Sequence, residues 1–163
     1  MAVDLTLAKS HLRVTSASED TLIAHYLSAA QGWVEEFTGK KLASGSVTQT
    51  ESAFKSYISL LWGPSPADVT VTYQDADDAE QSFTDGRLLG SRLYAPDDGW
   101  PSVYENTPIT VTYTAGYTTT PAPLDQAVLL LVGEYFDNRD MTARPAVAAA
   151  VESLCRPYRV PMI

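Results

Sequence analysis

The chain has one cysteine, two histidines and no long apolar run, and each shortage closes a class of function. A single thiol, Cys155, excludes an intrachain disulfide and any metal site built from several cysteines, so it reads as a small buried apolar residue. His11 and His25 have no Cys, Asp or Glu at a recurring ligand spacing, and both read as helix-surface residues rather than zinc ligands or a catalytic base. No segment approaches the roughly 18–20 apolar residues of a membrane span. The start, Met1-Ala2-Val3-Asp4, lacks the basic and apolar regions of a secretory signal, so synthesis in the cytosol is expected.

Catalytic signatures are missing too. Leu89-Gly90-Ser91 and Thr114-Ala115-Gly116-Tyr117 hold single glycines without the Lys-Ser/Thr partner of a phosphate loop, and Gly45-Ser46 does not continue into a nucleophile elbow. Asp97 and Asp98 are adjacent, so on a strand they point to opposite faces and in a loop they suit a turn. Asp75 to Glu80 lacks the glycine and the twelfth-position glutamate of a calcium loop and reads as a solvated hairpin turn. No catalytic residue, cofactor or metal is expected.

What is present begins with charge. The net charge is −9, and residues 43–117 carry ten of the twenty acidic groups but only three of the eleven basic ones. Such a segment repels a phosphate backbone. Its bland role is a solubilising surface; a sharper one is a non-stick wall past which DNA slides.

At 163 residues the chain suffices for one cored domain or a core with a sizeable insertion. Residues 1–42 read as two helices. Thr6 is placed to cap a short one through His11 and Leu12, and Ser16 and Glu19 have capping-box spacing for a long one. Leu22, Ile23, Tyr26, Leu27, Ala30, Trp33, Val34 and Phe37 lie on one stripe of that helix, which Gly39 ends. Across 43–117 the period becomes two, with strands expected at 46–52, 57–62, 69–73, 81–84, 87–94 and 109–113. Val69-Thr70-Val71-Thr72-Tyr73 nearly repeats as Ile109-Thr110-Val111-Thr112-Tyr113. Residues 118–163 hold the helix Leu124 to Arg139, apolar on every side, and a last helix from Pro145 to about Arg156. A helix apolar all round must be its unit's central helix or be covered by another subunit. The tail Pro157 to Ile163 either tucks back onto its own domain or docks to another protein. Trp100, in a Gly-Trp-Pro loop, is the tryptophan expected to face a partner; Trp33 and Trp62 read as packing residues.

In order and spacing these elements resemble the head-tail connector family of long-tailed double-stranded DNA phages, also called adaptor or head-completion proteins. The resemblance rests on Leu5 to Val14, Glu19 to Ile23, Trp33 to Gly39, Val69 to Asp75, Ile109 to Tyr117, Ala127 to Arg139 and Leu154 to Arg159; residues 76–106 match loosely. It implies an α+β chain that is mainly an α-helical bundle of about four helices, formed by residues 1–42 and 118–163, with a small antiparallel sheet inserted at 43–117. It further implies a ring of twelve subunits below the portal of a DNA-filled capsid. That ring extends the exit channel, lets DNA pass without specific binding, and offers a platform to a tail or stopper protein. On this reading Leu129, Leu130, Tyr135 and Phe136 are expected at the subunit interface. Arg156, Tyr158, Arg159, Val160, Met162 and Ile163 would form a portal-docking arm. Competing readings are another phage structural protein such as a tail terminator, an acidic protein-binding module, and a small hydrolase using Asp97 or Asp98.

Overall fold

The computed structural model describes residues 3–104, 107–138 and 145–159, which form two compact units. The helical unit, residues 1–43 with 118–163, contains α1 (Leu5–Leu12), α2 (Asp20–Thr38), α3 (Ala122–Asp137) and α4 (Pro145–Cys155), followed by a 3-10 turn at Arg156–Tyr158. Asp4, not Thr6, caps α1: its carboxylate accepts the Leu7 N–H at 2.8 Å, one of the orphan donors of a helix start. The expected capping box does not form either. Ser16 Oγ turns to the Ser18 N–H at 3.2 Å, a local bond that competes with helix, and α2 begins only at Asp20. Gly39 ends α2 at φ 68°, the left-handed conformation glycine adopts without penalty.

The all-apolar helix α3 is covered by its own chain. It packs against α1, α2 and α4, and it buries Leu124, Ala127, Val128, Leu129, Leu131 and Val132. Cys155 is fully buried on α4, and burial pushes its thiol pKa up to about 11. The helix ends at Asp137, short of the expected Arg139, which lies outside the described residues. The chain leaves and re-enters this unit at neighbouring points, where the Thr120 hydroxyl donates to the Leu42 carbonyl at 2.9 Å.

The β unit, residues 44–117, holds two antiparallel sheets. The larger has the order β1 (Gly45–Glu51), β7 (Ile109–Ala115), β3 (Ala67–Gln74), β4 (Glu80–Phe83); the smaller has β2 (Ile58–Ser59), β6 (Arg92–Tyr94), β5 (Arg87–Leu89). Alternation along β7 is complete: Ile109, Val111, Tyr113 and Ala115 are buried, with three half-buried threonines between them. The two near-repeats prove to be neighbours, Val71 opposite Val111 with Thr70 opposite Thr112 and Thr72 opposite Thr110. Their likeness answers a shared sheet, and Thr48 and Thr50 on β1 extend the threonine rows across a third strand.

Two expected strands change form. Residues 87–94 fold into a hairpin turning at Gly90 (φ 62°) instead of one strand. Ladder pairing after β2 stops at Ser59, so Trp62 does not end a strand. Side chains replace the ladder there: Gln49 Oε1 accepts the Leu61 N–H at 3.1 Å, and Tyr113 Oη accepts the Trp62 N–H at 3.0 Å. Gly86 is required for close packing, since a Cβ there would lie 2.8 Å from Leu93 Cδ1 in the core.

These observations correct the expected mainly helical bundle with one small inserted sheet. Among the described residues, seven strands in two sheets enclose a core of their own, built on Val47, Ile58, Leu60, Val71, Leu93, Ile109, Val111 and Tyr113. The fold is mixed α+β with the sheets dominant. The expectation failed because the two apolar helical ends outweighed, in the sequence, a β segment whose apolar residues are dispersed singly on alternate positions.

Candidate assembly surfaces

On α2 one apolar stripe is divided between core and surface. Ile23, Leu27, Ala30, Val34 and Thr38 face the interior. The adjacent positions Ala29, Gly32, Trp33, Glu36 and Phe37, at steps of three, one, three and one, line an open groove of 560 Å³ with Tyr135 of α3. Trp33 and Phe37, both half-buried, stack with ring centroids 5.0 Å apart and 10° between planes. The Arg159 guanidinium lies over the outer Phe37 ring, 5.3 Å from its centroid, within the range of a cation–π contact. Tyr135 packs its ring 6.1 Å from Tyr26, and burial raises its phenol pKa. The sequence put Trp33 and Phe37 on one apolar stripe without showing the groove; Gly32, a glycine in mid-helix on that stripe, was the available signal.

The residues expected at a subunit interface do not form one patch. Leu129 is 9% exposed and belongs to the interior, whereas Leu130, Tyr135 and Phe136 are half-buried. Of the expected arm, Arg156 and Arg159 are exposed and Tyr158 is half-buried; the 3-10 turn at Arg156–Tyr158 carries helical structure past the expected end of the last helix at about Arg156. Val160, Met162 and Ile163 lie outside the described residues.

Trp100 is engaged within the β unit. Its ring stacks on Phe54 at 4.6 Å and 9°, and its indole N–H donates to the Lys55 carbonyl at 2.5 Å, so the loop is anchored by the side chain expected to face a partner. Leu61, 65% exposed, is the more open apolar side chain of that unit. Asp75 forms a self-contained turn. Its Oδ1 accepts the N–H groups of Asp77 and Ala79 at 3.0 Å each, its Oδ2 accepts from Gln81, and the bonds from Ala79 and Gln81 hold its carboxyl below the usual range. Among the described residues no group of three His, Cys, Asp or Glu could hold a metal ion.

The elements in this order match the head completion protein family over residues 3–150. The chain belongs to that family. Solved structures agree along nearly the whole chain. The neck of an empty gene transfer agent (GTA) particle computed with C6 symmetry contains a chain 26% identical, with TM-score 0.85 over 99% of this chain and 91% of that one. The neck of a native GTA particle computed with C12 symmetry contains one 26% identical, with TM-score 0.76 over 100% and 94%. The virion of a native GTA particle holds a chain of the same fold at 24% identity and TM-score 0.84, covering 99% and 91%. No curated protein matches the chain. This head completion protein is a structural component of the virion, a head-tail connector at the head–tail interface.

Proposed function

We propose that the protein acts as a ring subunit, twelve to a ring, that joins a portal protein to a tail or stopper protein, extends the DNA exit channel and catalyses no reaction. The family match over residues 3–150 carries this reading, and the C6 and C12 symmetry of the similar GTA necks supports the ring. A closed ring uses head-to-tail contacts, so each subunit needs two different adhesive faces. Leu130, Tyr135 and Phe136 keep enough surface on α3 to contribute, while Leu129 acts from beneath them. Arg156, Tyr158 and Arg159, with the residues after them, are the proposed portal-docking arm. Trp100 is assigned to shaping a partner-facing loop rather than to touching the partner with its ring face. The acidic excess of residues 43–117 suits a channel that DNA must leave freely.

Light scattering and negative-stain microscopy of the protein, alone and with its cognate portal, test the reading. Rings of about six-fold or twelve-fold symmetry, free or portal-bound, are expected; a monomer that ignores the portal would overturn it.

A further inference from the structure

The outer face of the smaller sheet gathers cations that the rest of the β unit lacks. Ile58, Leu88 and Leu93 turn one face to the core, so alternation sends Tyr57, Tyr94 and Arg87 outward in one row and Ser59, Arg92 and Leu89 in the next. The Arg92 guanidinium lies over the Tyr57 ring, 4.6 Å from its centroid, and that ring packs 5.8 Å from Tyr94. Tyr57, Ser59 and Leu61 also line a hollow of 320 Å³, and Leu61 and Leu89 are both exposed. Of the three basic groups in residues 43–117, Lys55 pairs with Glu51 at 3.3 Å; among the described residues, Arg87 and Arg92 have no carboxylate partner. Arginine and tyrosine are the side chains enriched where proteins bind one another. We propose that this face receives the acidic β3–β4 hairpin tip, residues 75–80, of the next copy in the ring; the inference rests on the ring proposed above and names one of its contacts.

Charge, rigidity and placement select that occupant. The tip carries Asp75, Asp77, Asp78 and Glu80, and the last three are exposed. It is already ordered: the Asp75 N–H donates to the Ala79 carbonyl at 2.9 Å, and the Asp75 carboxylate accepts the N–H groups of Asp77 and Ala79, so docking has no loop to freeze. The two arginines stand on a cross-strand diagonal about 7–8 Å apart. A single hairpin, its strands about 4.8 Å apart, can present Asp77 from its turn and Glu80 from its second strand across that span. Asp97 and Asp98 follow Tyr94 by only three residues and so border the basic face itself, whereas a head-to-tail contact needs two different faces. A phosphate backbone is the poorer match, since the two guanidiniums stand in a segment with ten acidic groups that repels it.

Mixing two charge-reversed full-length variants tests the contact, with assembly scored by sedimentation and negative-stain microscopy at low salt, alone and with the cognate portal. R87E/R92E reverses the face and D77K/E80K the tip; Asp78 is kept because its φ of 61° disfavours a longer side chain. All four positions are exposed, so both variants should melt with the wild type. Each alone should need at least about tenfold more protein to assemble, a factor that one desolvated charge pair suffices to supply. Mixed one to one they can alternate around the ring, every junction again joins opposite charges, and rings should return. Rings of R87E/R92E at the wild-type concentration, or a mixture no better than its parts, overturn the contact and leave the ring reading standing. Binding of a short DNA duplex by the wild type that R87E/R92E loses while its rings persist would assign the face to DNA and overturn the proposal. A wild type that forms no ring even with the portal overturns the ring reading, and the contact falls with it.

Discussion

Removing one oxygen from the β unit should cost more than its size suggests. Tyr113 is 1% exposed, and its hydroxyl bridges two parts of that unit: it accepts the Trp62 N–H at 3.0 Å and donates to Gln49 Oε1 at 3.1 Å. Gln49 in turn accepts the Leu61 N–H at 3.1 Å and donates to the Ser59 carbonyl at 3.0 Å. Two buried side chains thus hold the amides of Leu61 and Trp62, beyond the last ladder pair at Ser59. Tyr113→Phe keeps the ring and its burial, so only the two hydroxyl bonds are lost. At about 0.5–1.5 kcal/mol net per bond, the expected destabilisation is about 1–3 kcal/mol. Urea unfolding followed by tryptophan fluorescence measures it, and amide exchange at Leu61 and Trp62 locates it. Gln49→Leu acts on the same network, so the double variant should be less destabilised than the sum of the singles by at least about 0.5 kcal/mol. A Y113F loss under about 0.5 kcal/mol, additive with Q49L and without faster exchange at residues 61 and 62, would refute the reasoning.

Cys155 should resist alkylation in the folded protein at pH 8, since burial holds the thiol protonated until about pH 11. Because the folded pKa is raised above 9.0, the contribution is complete below pH 9 and is lost as pH rises toward 11; Cys155→Ala should remove that part of the alkaline decline, on the order of 3 kcal/mol across the window. At Asp75 the sign reverses: the folded pKa is depressed, so the turn's contribution is complete above 3.8 and fades as pH falls through the lower folded value. Asp75→Asn should abolish that pH dependence in amide exchange at Ala79, and millimolar calcium should leave the wild-type Tm unchanged.

Periodicity made the long elements legible. The α2 stripe, the Gly39 stop, the apolar α3 and the alternating β7 all declare themselves because each is a run of local signals that tertiary contacts reinforce. The misses share a different cause. Asp4 displaced Thr6, and Ser16 bonded to its near neighbour, because several polar side chains competed for the same orphan N–H groups and spacing does not rank them. At residues 61 and 62 the backbone is held by Gln49 and Tyr113, which lie 12 and 51 residues from the amides they accept; such partners leave no local trace in the sequence. The anchoring of Trp100 leaves no local trace for a similar reason, since its stacking partner Phe54 and its acceptor on Lys55 are distant in sequence. The groove was hidden because one stripe of α2 is wider than its unit covers, and a hydrophobic pattern does not say where coverage ends.

That α3 is covered by its own chain changes where the ring contacts should be sought. Leu130 and Tyr135 are five residues apart, and at about 100° per residue they point about 140° from each other around the helix. They therefore belong to two faces, as a head-to-tail ring demands, whereas a two-fold contact would use one face twice. Leu130→Asp and Tyr135→Asp should each stop ring closure while leaving the monomer folded, because both sites are half-buried. Val128→Asp, fully buried, should instead unfold the helical unit. The two ring-blocked variants are complementary: L130D keeps an intact Tyr135 face and Y135D an intact Leu130 face. Mixed, they should pair as heterodimers and go no further, which sedimentation resolves from either variant alone. Inertness of the mixture would place at least one face elsewhere, and rings built by either single variant would remove its residue from the contact.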